Sequence, residues 1–267
     1  MLGLAMDTDS PSAPILEIDG AVATIRLNRP RHRNRIEPGD LAAIHGCLDA
    51  VEADGAVRVL VLTGTGKAFS SGYHLGDLAS RVPGAAAEDD PERGAFEIMV
   101  DRIEDFALPT ICRLNGGVYG GSTDLALACD FRIGTDGTEI VMPAARLGIH
   151  YYPGGLVRFV TRLGPDGAKR LFLAAERLDA AEMLRIGYLT EIVAPERLDA
   201  RVAELAAILA ANAPAALRGM KRTVNEIARG GLDRQAAARR HRESLRGEEI
   251  SEGLAAFAEK RAPRFRG

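Results

Sequence analysis

Two glycine-containing stretches of the chain carry backbone groups that could do chemistry. The first, "VLTGTGKAFSSGYHLGD" (residues 61–77), runs from an apolar segment into a loop, and the second, "LNGGVYGGSTDLALACD" (residues 114–130), places Gly120 and Gly121 where a helix begins. A strand end and a helix start both expose backbone N–H groups, and the helix macrodipole favours a negative oxygen there. Two such donors, one from each stretch, would form an oxyanion hole of the kind that stabilises a thioester enolate.

The same glycines do not match either common nucleotide-binding motif. A P-loop requires G-x-x-x-x-G-K-[ST], but Val61 stands five residues before Gly66, and Ala68 follows Lys67. A dinucleotide-binding turn requires G-x-G-x-x-G, and Phe69 occupies the place of its third glycine. The sequence therefore disfavours both a nucleoside triphosphate site and a Rossmann site.

Strand-like and helix-like segments alternate around these two stretches. Two β-prone runs flank Asp19-Gly20, a pair that favours a hairpin turn. Apolar residues recur at spacings of three and four between Leu41 and Val51, which predicts an amphipathic helix. The largely apolar run "VRVLVLTG" (residues 57–64) indicates a strand that is buried on both faces of a parallel sheet. Because residues 96–130 continue the alternation, we predict an α/β core.

The chain divides into three predicted parts. Residues 1–13 are predicted to form a flexible tail, and residues 14–197 contain the alternating pattern of the core. Residues 198–267 contain helix-forming segments separated by proline or glycine, without a strand candidate. Helices appended to a finished α/β core usually pack against something, so we expect this last part to contact a partner subunit.

Composition narrows the class of protein. With 267 residues and 46% hydrophobic content, the chain can bury one sizeable core. A formal net charge of −3 gives no overall attraction to nucleic acid or to anionic membranes. The three cysteines, Cys47, Cys112 and Cys129, lack metal-ligand spacing and fit a reducing compartment. No apolar run approaches membrane-spanning length. We expect a cytoplasmic protein without a metal, a nucleic-acid partner or a membrane anchor.

Four motifs of the sequence resemble those of the enoyl-CoA hydratase/isomerase, or crotonase, superfamily. They are "KAFSSGYHLGDL", "NGGVYGGSTDLALACDF", "LGIHYYPGG" and "EGLAAFAEKRAPRF", in the family's order and at fitting separations. The resemblance extends from Ile15 to Phe265. It implies an α/β fold, a spiral of ββα turns with the acyl-CoA site in residues 14–197. It also implies a C-terminal helical region that builds trimers, often paired into hexamers.

The resemblance also implies which residues bind the substrate. The oxyanion-hole N–H groups would belong to Tyr73 and Gly121, and the backbone of Tyr73, His74, Leu75 and Gly76 would line the thioester and adenine part of the acyl-CoA.

Two further groups of residues are assigned to coenzyme A in the same way. Arg31 and Arg33, in "NRPRHRNR", correspond to the family segment near the CoA phosphates, although exposed arginines are also common on ordinary surfaces. Phe257 and Lys260 match positions that reach the CoA of a neighbouring subunit, although Phe257 could equally be a core residue.

The predicted acid–base residues depart from the family pattern. A hydratase of this family uses two glutamates, and Asp124 and Ala144 stand at those positions. Asp124 keeps a carboxylate but reaches about 1.5 Å less far, and in the first turn of a predicted helix it could serve as a cap instead. Ala144 cannot exchange a proton, so the usual pair of acid and base is incomplete.

His74 and Tyr151 are the other catalytic candidates. Many members carry aspartate at the position of His74, and Tyr151 aligns with a tyrosine of members that resemble methylmalonyl-CoA decarboxylase. His150 and Tyr152 flank Tyr151. Loss of carbon dioxide produces an enolate without a base, so this chemistry tolerates Ala144. Packing or hydrogen bonding is the alternative for each of these side chains.

We interpret the sequence as an acyl-CoA enzyme that stabilises an enolate, nominally an enoyl-CoA hydratase/isomerase, with coenzyme A as part of the substrate and no separate cofactor. A decarboxylase or a C–C bond hydrolase of the same superfamily is the enzymatic alternative. A catalytically silent CoA-binding oligomer is another, motivated by Ala144. An RNA-binding member is the least supported, because His32 is the only ring near the arginines that could stack on bases.

Overall fold

The computed structural model describes residues 13–74 and 94–265. The strands in these ranges are β1 (Ile15–Asp19), β2 (Val22–Leu27), β3 (Val59–Gly64), β4 (Thr110–Arg113), β5 (Val118–Tyr119), β6 (Phe131–Thr135), β7 (Glu139–Val141), β8 (Leu178–Asp179) and β9 (Glu191–Val193). The α-helices are α1 (Pro38–Ala53), α2 (Ala95–Glu104), α3 (Ser122–Ala128), α4 (Pro153–Phe172), α5 (Ala180–Arg185), α6 (Leu198–Ala211), α7 (Pro214–Ala228), α8 (Arg234–Ser244) and α9 (Glu248–Glu259). Short 3-10 helices lie at Pro30–His32, Ala144–Leu147 and Pro195–Arg197.

A six-stranded sheet, in the order β1-β2-β3-β4-β6-β9, forms the centre of the described structure. The predicted hairpin is confirmed, since β1 and β2 pair antiparallel, and the other neighbours in the sheet are parallel. All six residues of β3 are buried, as the apolar run predicts for a strand covered on both faces. A second sheet of three short strands, β5-β7-β8, lies apart from it. The predicted α/β class is therefore confirmed.

The two faces of the large sheet bury different groups of side chains. Along β3, Leu60 and Leu62 belong to the main core with α1, α2, α3 and α4. Val59 and Val61 alternate with them and pack with α6 on the other face. Helix α6 is thus a layer of the core, although the sequence places it in the C-terminal helical part. Helices α7, α8 and α9 follow it as the predicted helical continuation of the chain.

Several elements of the C-terminal part expose apolar side chains. Met220, Val224 and Ile227 lie along α7 with more than half of each side chain accessible, and Phe257 of α9 is 85% exposed. Among the described residues, no single helix combines the length and the apolar character of a membrane span. Two consecutive helical stretches have sufficient length and apolar character only when taken together, and they meet at an angle of 107°: Pro195–Ala211 and Pro214–Ala228. The predicted N-terminal tail lies outside the described residues except for its last residue, Ala13.

Candidate active site

The loop after β3 and the start of α3 lie against each other, as the two glycine stretches predict. Tyr119 N–H donates to the Ser70 carbonyl (3.1 Å), and the Ser122 hydroxyl donates to the same oxygen (3.0 Å). Gly72 adopts a φ of +97°, and a Cβ there would lie 2.6 Å from the Tyr119 carbonyl oxygen and 3.3 Å from Gly121 N. Glycine is therefore required at position 72 because two main chains touch there.

Tyr73 and Gly121, the predicted oxyanion-hole residues, are neighbours in this arrangement. A Cβ built on Gly121 would lie 3.5 Å from the Tyr73 Cβ and 3.0 Å from the ring of Phe96. The rings of Phe96 and Tyr73 are 5.2 Å apart, and Tyr152 approaches Phe96 edge-on at 6.5 Å. The structure thus brings the two backbone segments together beside an aromatic wall. Their function as oxyanion donors stays a prediction.

Asp124, the predicted catalytic carboxylate, is fully buried in the first turn of α3. Its Oδ1 atom accepts a hydrogen bond from Arg158 Nη1 at 2.7 Å. Its Oδ2 atom accepts a hydrogen bond from the Tyr152 hydroxyl and, at 3.4 Å, from the Tyr151 hydroxyl. Gly155 makes this approach possible, because a Cβ at that position would lie 2.8 Å from Oδ2. Both oxygens of the carboxylate are therefore engaged by protein groups.

Arg158 connects Asp124 to a wider network of buried charges. Its side chain is 1% exposed, with Nε 3.1 Å from Glu104 Oε2 and Nη2 2.5 Å from Asp101 Oδ1. Glu104 also pairs with Arg162 (3.2 Å) and with Arg229 (2.5 Å), the C-cap residue directly after α7. A buried ion needs such partners because the loss of hydration costs several kcal/mol. The network therefore holds α2, α3, α4 and α7 around the carboxylate.

Burial and charge act on the protonation of this cluster in opposite directions. Burial raises the pKa of Asp124, and the Arg158 charge and the Tyr152 hydrogen bond partly oppose that rise. Burial and then the Asp124 charge raise the pKa of the Tyr151 and Tyr152 phenols. The phenols therefore stay protonated at neutral pH and remain hydrogen-bond donors, while the carboxylate gains affinity for a proton.

The remaining predicted catalytic positions lie around this cluster without joining it. His74 Nδ1 pairs with Glu37 Oε2 at 2.9 Å, at the start of α1, rather than with Asp124. Ala144 is buried at the start of a 3-10 helix. His150 Nδ1 lies 2.8 Å from the carbonyl oxygen of Tyr151. Of the predicted catalytic side chains, the structure brings Tyr151 and Asp124 together and gives His74 a different partner.

The predicted CoA-binding residues lie on the surface where they are described. Arg31 and Arg33 are exposed, Arg31 in the 3-10 helix that follows β2 and Arg33 at its C-cap. Phe257 and Lys260 are exposed at the end of α9, with Lys260 in the left-handed conformation that ends the helix. The exposure of Phe257 contradicts a position in the core. Leu75 and Gly76 lie outside the described residues.

Arg158, Glu104 and Tyr152 are the members of the cluster that the sequence analysis did not select. A usable signal exists for Arg158: it shares a face of α4 with Gly155 and Phe159, both buried, and a charge among buried neighbours indicates an ion pair. Tyr152 directly precedes α4 and carries no comparable signal, because nothing in the sequence distinguishes its direction from that of Tyr151.

An apolar cavity of about 280 Å³ adjoins the site. Leu41 and Ala42 of α1, Ala95 and Ile98 of α2, and Tyr73 from the loop after β3 line it. His45, which lies 3.0 Å from Arg102, is a polar residue in an otherwise largely apolar lining.

Comparison with known proteins identifies the class to which this fold and site belong. A sequence profile described as Enoyl-CoA hydratase/isomerase matches residues 17–267. The crotonyl-CoA hydratase of Syntrophomonas wolfei is 33% identical over 255 residues, which cover 94% of this chain and 96% of that protein. A carnitinyl-CoA dehydratase of Salmonella arizonae is 33% identical over 260 residues, covering 93% and 96%. The crystal structure of an enoyl-CoA hydratase from Bacillus anthracis superposes with a TM-score of 0.83 at 28% identity, covering 95% of this chain and 99% of that one.

The chain belongs to the enoyl-CoA hydratase/isomerase family of the crotonase superfamily. It is accordingly an enzyme that acts on acyl-CoA thioesters. The family predicted from the four motifs and the crotonase fold predicted with it are confirmed.

Proposed function

We propose that this enzyme adds water reversibly to the double bond of a short-chain 2-enoyl-CoA. The contact between the Gly72 loop and Gly121 is the observation that carries the proposal, because it sets two backbone donors side by side. In the reaction, the thioester carbonyl oxygen gains negative charge as water attacks the β-carbon. N–H groups of Tyr73 and Gly121 aimed at that oxygen stabilise the enolate more than the substrate, which is the condition for catalysis.

The acyl chain occupies the cavity beside Tyr73 in this proposal. The cavity has a volume of about 280 Å³ and a largely apolar lining, and both suit a short hydrocarbon chain. Tyr73 therefore has two functions, one through its backbone N–H and one through its ring. The names of two relatives, crotonyl-CoA hydratase and carnitinyl-CoA dehydratase, support addition and removal of water on short acyl groups.

Coenzyme A enters as part of the substrate, and the proposed reaction uses no other cofactor. The exposed guanidinium groups of Arg31 and Arg33 are available to its phosphates. The exposed Phe257 and Lys260 are available to the CoA of a neighbouring subunit in a trimer or hexamer. The apolar side chains exposed along α7 support that assembly.

Turnover of crotonyl-CoA, followed as loss of the conjugated enoyl absorbance, tests this function. Gly72→Ala tests the oxyanion geometry, because its new Cβ would collide with the Tyr119 carbonyl beside Gly121. Removal of one oxyanion donor lowers kcat about 10²–10³-fold in a well-studied case, and we expect a loss of that size. Gly230→Ala is the matched control: its φ is +70°, and its Cβ would have no neighbour within 4 Å. No absorbance change with the unaltered enzyme, or equal losses in both variants, would contradict the proposal.

A further inference from the structure

We propose that the Tyr152 hydroxyl is the group that exchanges protons with the bound thioester and its attacking water, and that Asp124 acts through it. The inference rests on the proposed function and names the proton-transfer residue of that site. Asp124 is fully buried, and its two oxygens accept hydrogen bonds from Arg158 and from the tyrosines. A carboxylate in this state offers no exposed oxygen to a substrate.

Tyr152 is placed between this carboxylate and the oxyanion loops. Its hydroxyl donates to Asp124 Oδ2, and its ring approaches Phe96, which contacts Gly121. Tyr152 is partly buried, as Tyr151 is, so their ring contacts and not their exposure distinguish them. Tyr152 is the N-cap residue of α4 with extended backbone angles, and Pro153 fixes the first helical turn after it. The hydrogen bond to Asp124 and the ring contact with Phe96 therefore place the phenol beside both the carboxylate and the Gly121 turn.

Tyr151 contacts the same carboxylate but belongs to the core side of the cluster. Its hydroxyl lies 3.4 Å from Asp124 Oδ2, and its ring packs at 5.1 Å on Phe172, which is buried. The rings of Tyr151 and Tyr152 stack at 4.4 Å. The two neighbouring tyrosines therefore differ in orientation while sharing chemistry, which makes Tyr151 the natural control for Tyr152.

The proton path balances without a second carboxylate. As the water oxygen bonds to the β-carbon, the π electrons of the double bond move to the thioester oxygen, and the water proton passes to the Tyr152 oxygen. The phenolic proton passes at the same time to Asp124 Oδ2, where burial favours the neutral acid. The path then reverses: Asp124 returns its proton to Tyr152, and the phenolic proton bonds to the α-carbon through the π electrons of the enolate, whose oxygen re-forms the thioester carbonyl. This relay, formed by Tyr152 and Asp124, thus acts first as base and then as acid. The path therefore needs no proton-transferring side chain at position 144, where alanine stands.

Arg158 is a positioning residue in this path. Its Nη1 atom holds Asp124 Oδ1 and leaves Oδ2 to the phenol. Glu104 and Asp101 fix the guanidinium from the other side. Three residues that do not touch the substrate, Arg158, Glu104 and Asp101, therefore set the geometry of the relay.

Two measurements on Tyr152→Phe and Tyr151→Phe test the inference. Hydration of crotonyl-CoA reports the whole reaction, and exchange of the α-protons of butyryl-CoA in deuterium oxide, read by mass spectrometry, reports proton transfer at carbon alone. Since general acid–base catalysis contributes about 10²–10⁴-fold, we expect Tyr152→Phe to lower kcat and the exchange rate by such a factor with KM retained. Tyr151→Phe should lower both less than about tenfold.

The outcomes separate this inference from the proposed function. Equal losses in the two phenylalanine variants, or no loss in Tyr152→Phe, would overturn the relay. If the unaltered enzyme exchanges α-protons without hydrating crotonyl-CoA, hydration is wrong and the effect of Tyr152→Phe on exchange still decides the relay. Absence of both activities overturns both. Asp124→Asn provides a second variant: it removes the end of the relay, so it should reduce exchange as strongly as Tyr152→Phe.

Discussion

The two halves of the site are built from different parts of the polypeptide. The proposed oxyanion half is main chain, where the Gly72 loop and the Gly121 turn touch. The proposed proton-transfer half is side chain, with Asp124, Arg158 and Tyr152 joined by hydrogen bonds. Main-chain geometry tolerates changes of neighbouring side chains as long as the glycines remain. The side-chain half depends on every member of a charge network, so a change at one member leaves another without its partner.

The largest expected effect is a loss of stability when the side-chain half is changed. Arg158→Gln leaves Asp124 and Glu104 without their shared buried cation, and breaking a buried pair costs about 3–5 kcal/mol. We expect the urea midpoint to fall accordingly. Arg170→Gln, on the same helix, removes ion pairs to Glu176 and Glu182 that lie at the surface, and should leave the midpoint nearly unchanged. Similar urea midpoints for both variants would show that the charge network does not stabilise the fold.

The second prediction concerns the acid side of the stability curve. Although burial alone would raise the pKa of Glu104, the charges of Arg158, Arg162 and Arg229 hold it below its ordinary value of 4.5. A carboxyl whose pKa is lower in the folded state stabilises the fold above pH 4.5, and that contribution is lost as the pH falls through the folded pKa.

Glu104→Gln should therefore lose about 1–3 kcal/mol at pH 7, less than Arg158→Gln, because the amide can still accept hydrogen bonds. The difference between the unaltered enzyme and the variant should shrink as the pH is lowered below 4.5. Unfolding in urea at several pH values measures it. A difference that stays constant from pH 7 to pH 3 would show that ionisation of Glu104 contributes nothing.

The fold and the contact between the two glycine stretches could be predicted from sequence because both follow from local patterns. The all-buried strand β3 follows from an apolar run, and the approach of Gly72 to Gly121 follows from glycines at a strand end and a helix start. The proton-transfer half could be predicted only in part. Asp124 is recognisable from its place after Gly121, whereas its pairing with Arg158 joins residues 34 positions apart on different helices.

Local sequence also does not predict the partner of His74, nor which of the two tyrosines approaches Phe96. Glu37, the partner of His74, is brought to it by the short parallel contact between Ile36 and Tyr73. The rotation of the chain at the start of α4 decides that Tyr152 and not Tyr151 approaches Phe96. Tertiary contacts determine both features, and neither leaves a periodic pattern in the sequence.

A third prediction sharpens the comparison at Tyr73, which contributes main chain to one half and a ring to the acyl cavity. Tyr73→Ala keeps the backbone N–H but removes a ring that lines the proposed acyl cavity. We expect the ratio of kcat/KM for 2-hexenoyl-CoA to that for crotonyl-CoA to rise about tenfold or more, since each added methylene in an apolar pocket changes discrimination about 10–200-fold. An unchanged ratio with lower rates on both substrates would indicate that the ring supports the oxyanion geometry instead.

The smallest effect is expected at the surface, from an exposed side chain beside the Gly72 loop. Arg33 is exposed, and its contact with a CoA phosphate would be a solvent-screened charge–charge interaction of about 0–1 kcal/mol. Arg33→Ala should therefore raise KM for crotonyl-CoA about two- to fivefold without changing kcat, and the increase should disappear at high salt because ions screen exposed charges. Arg177→Ala, which removes an exposed arginine paired with Glu139, is the matched control and should leave KM unchanged. If the two variants have the same KM at low salt, Arg33 does not bind the phosphates, and the nucleotide of coenzyme A must be held by other groups.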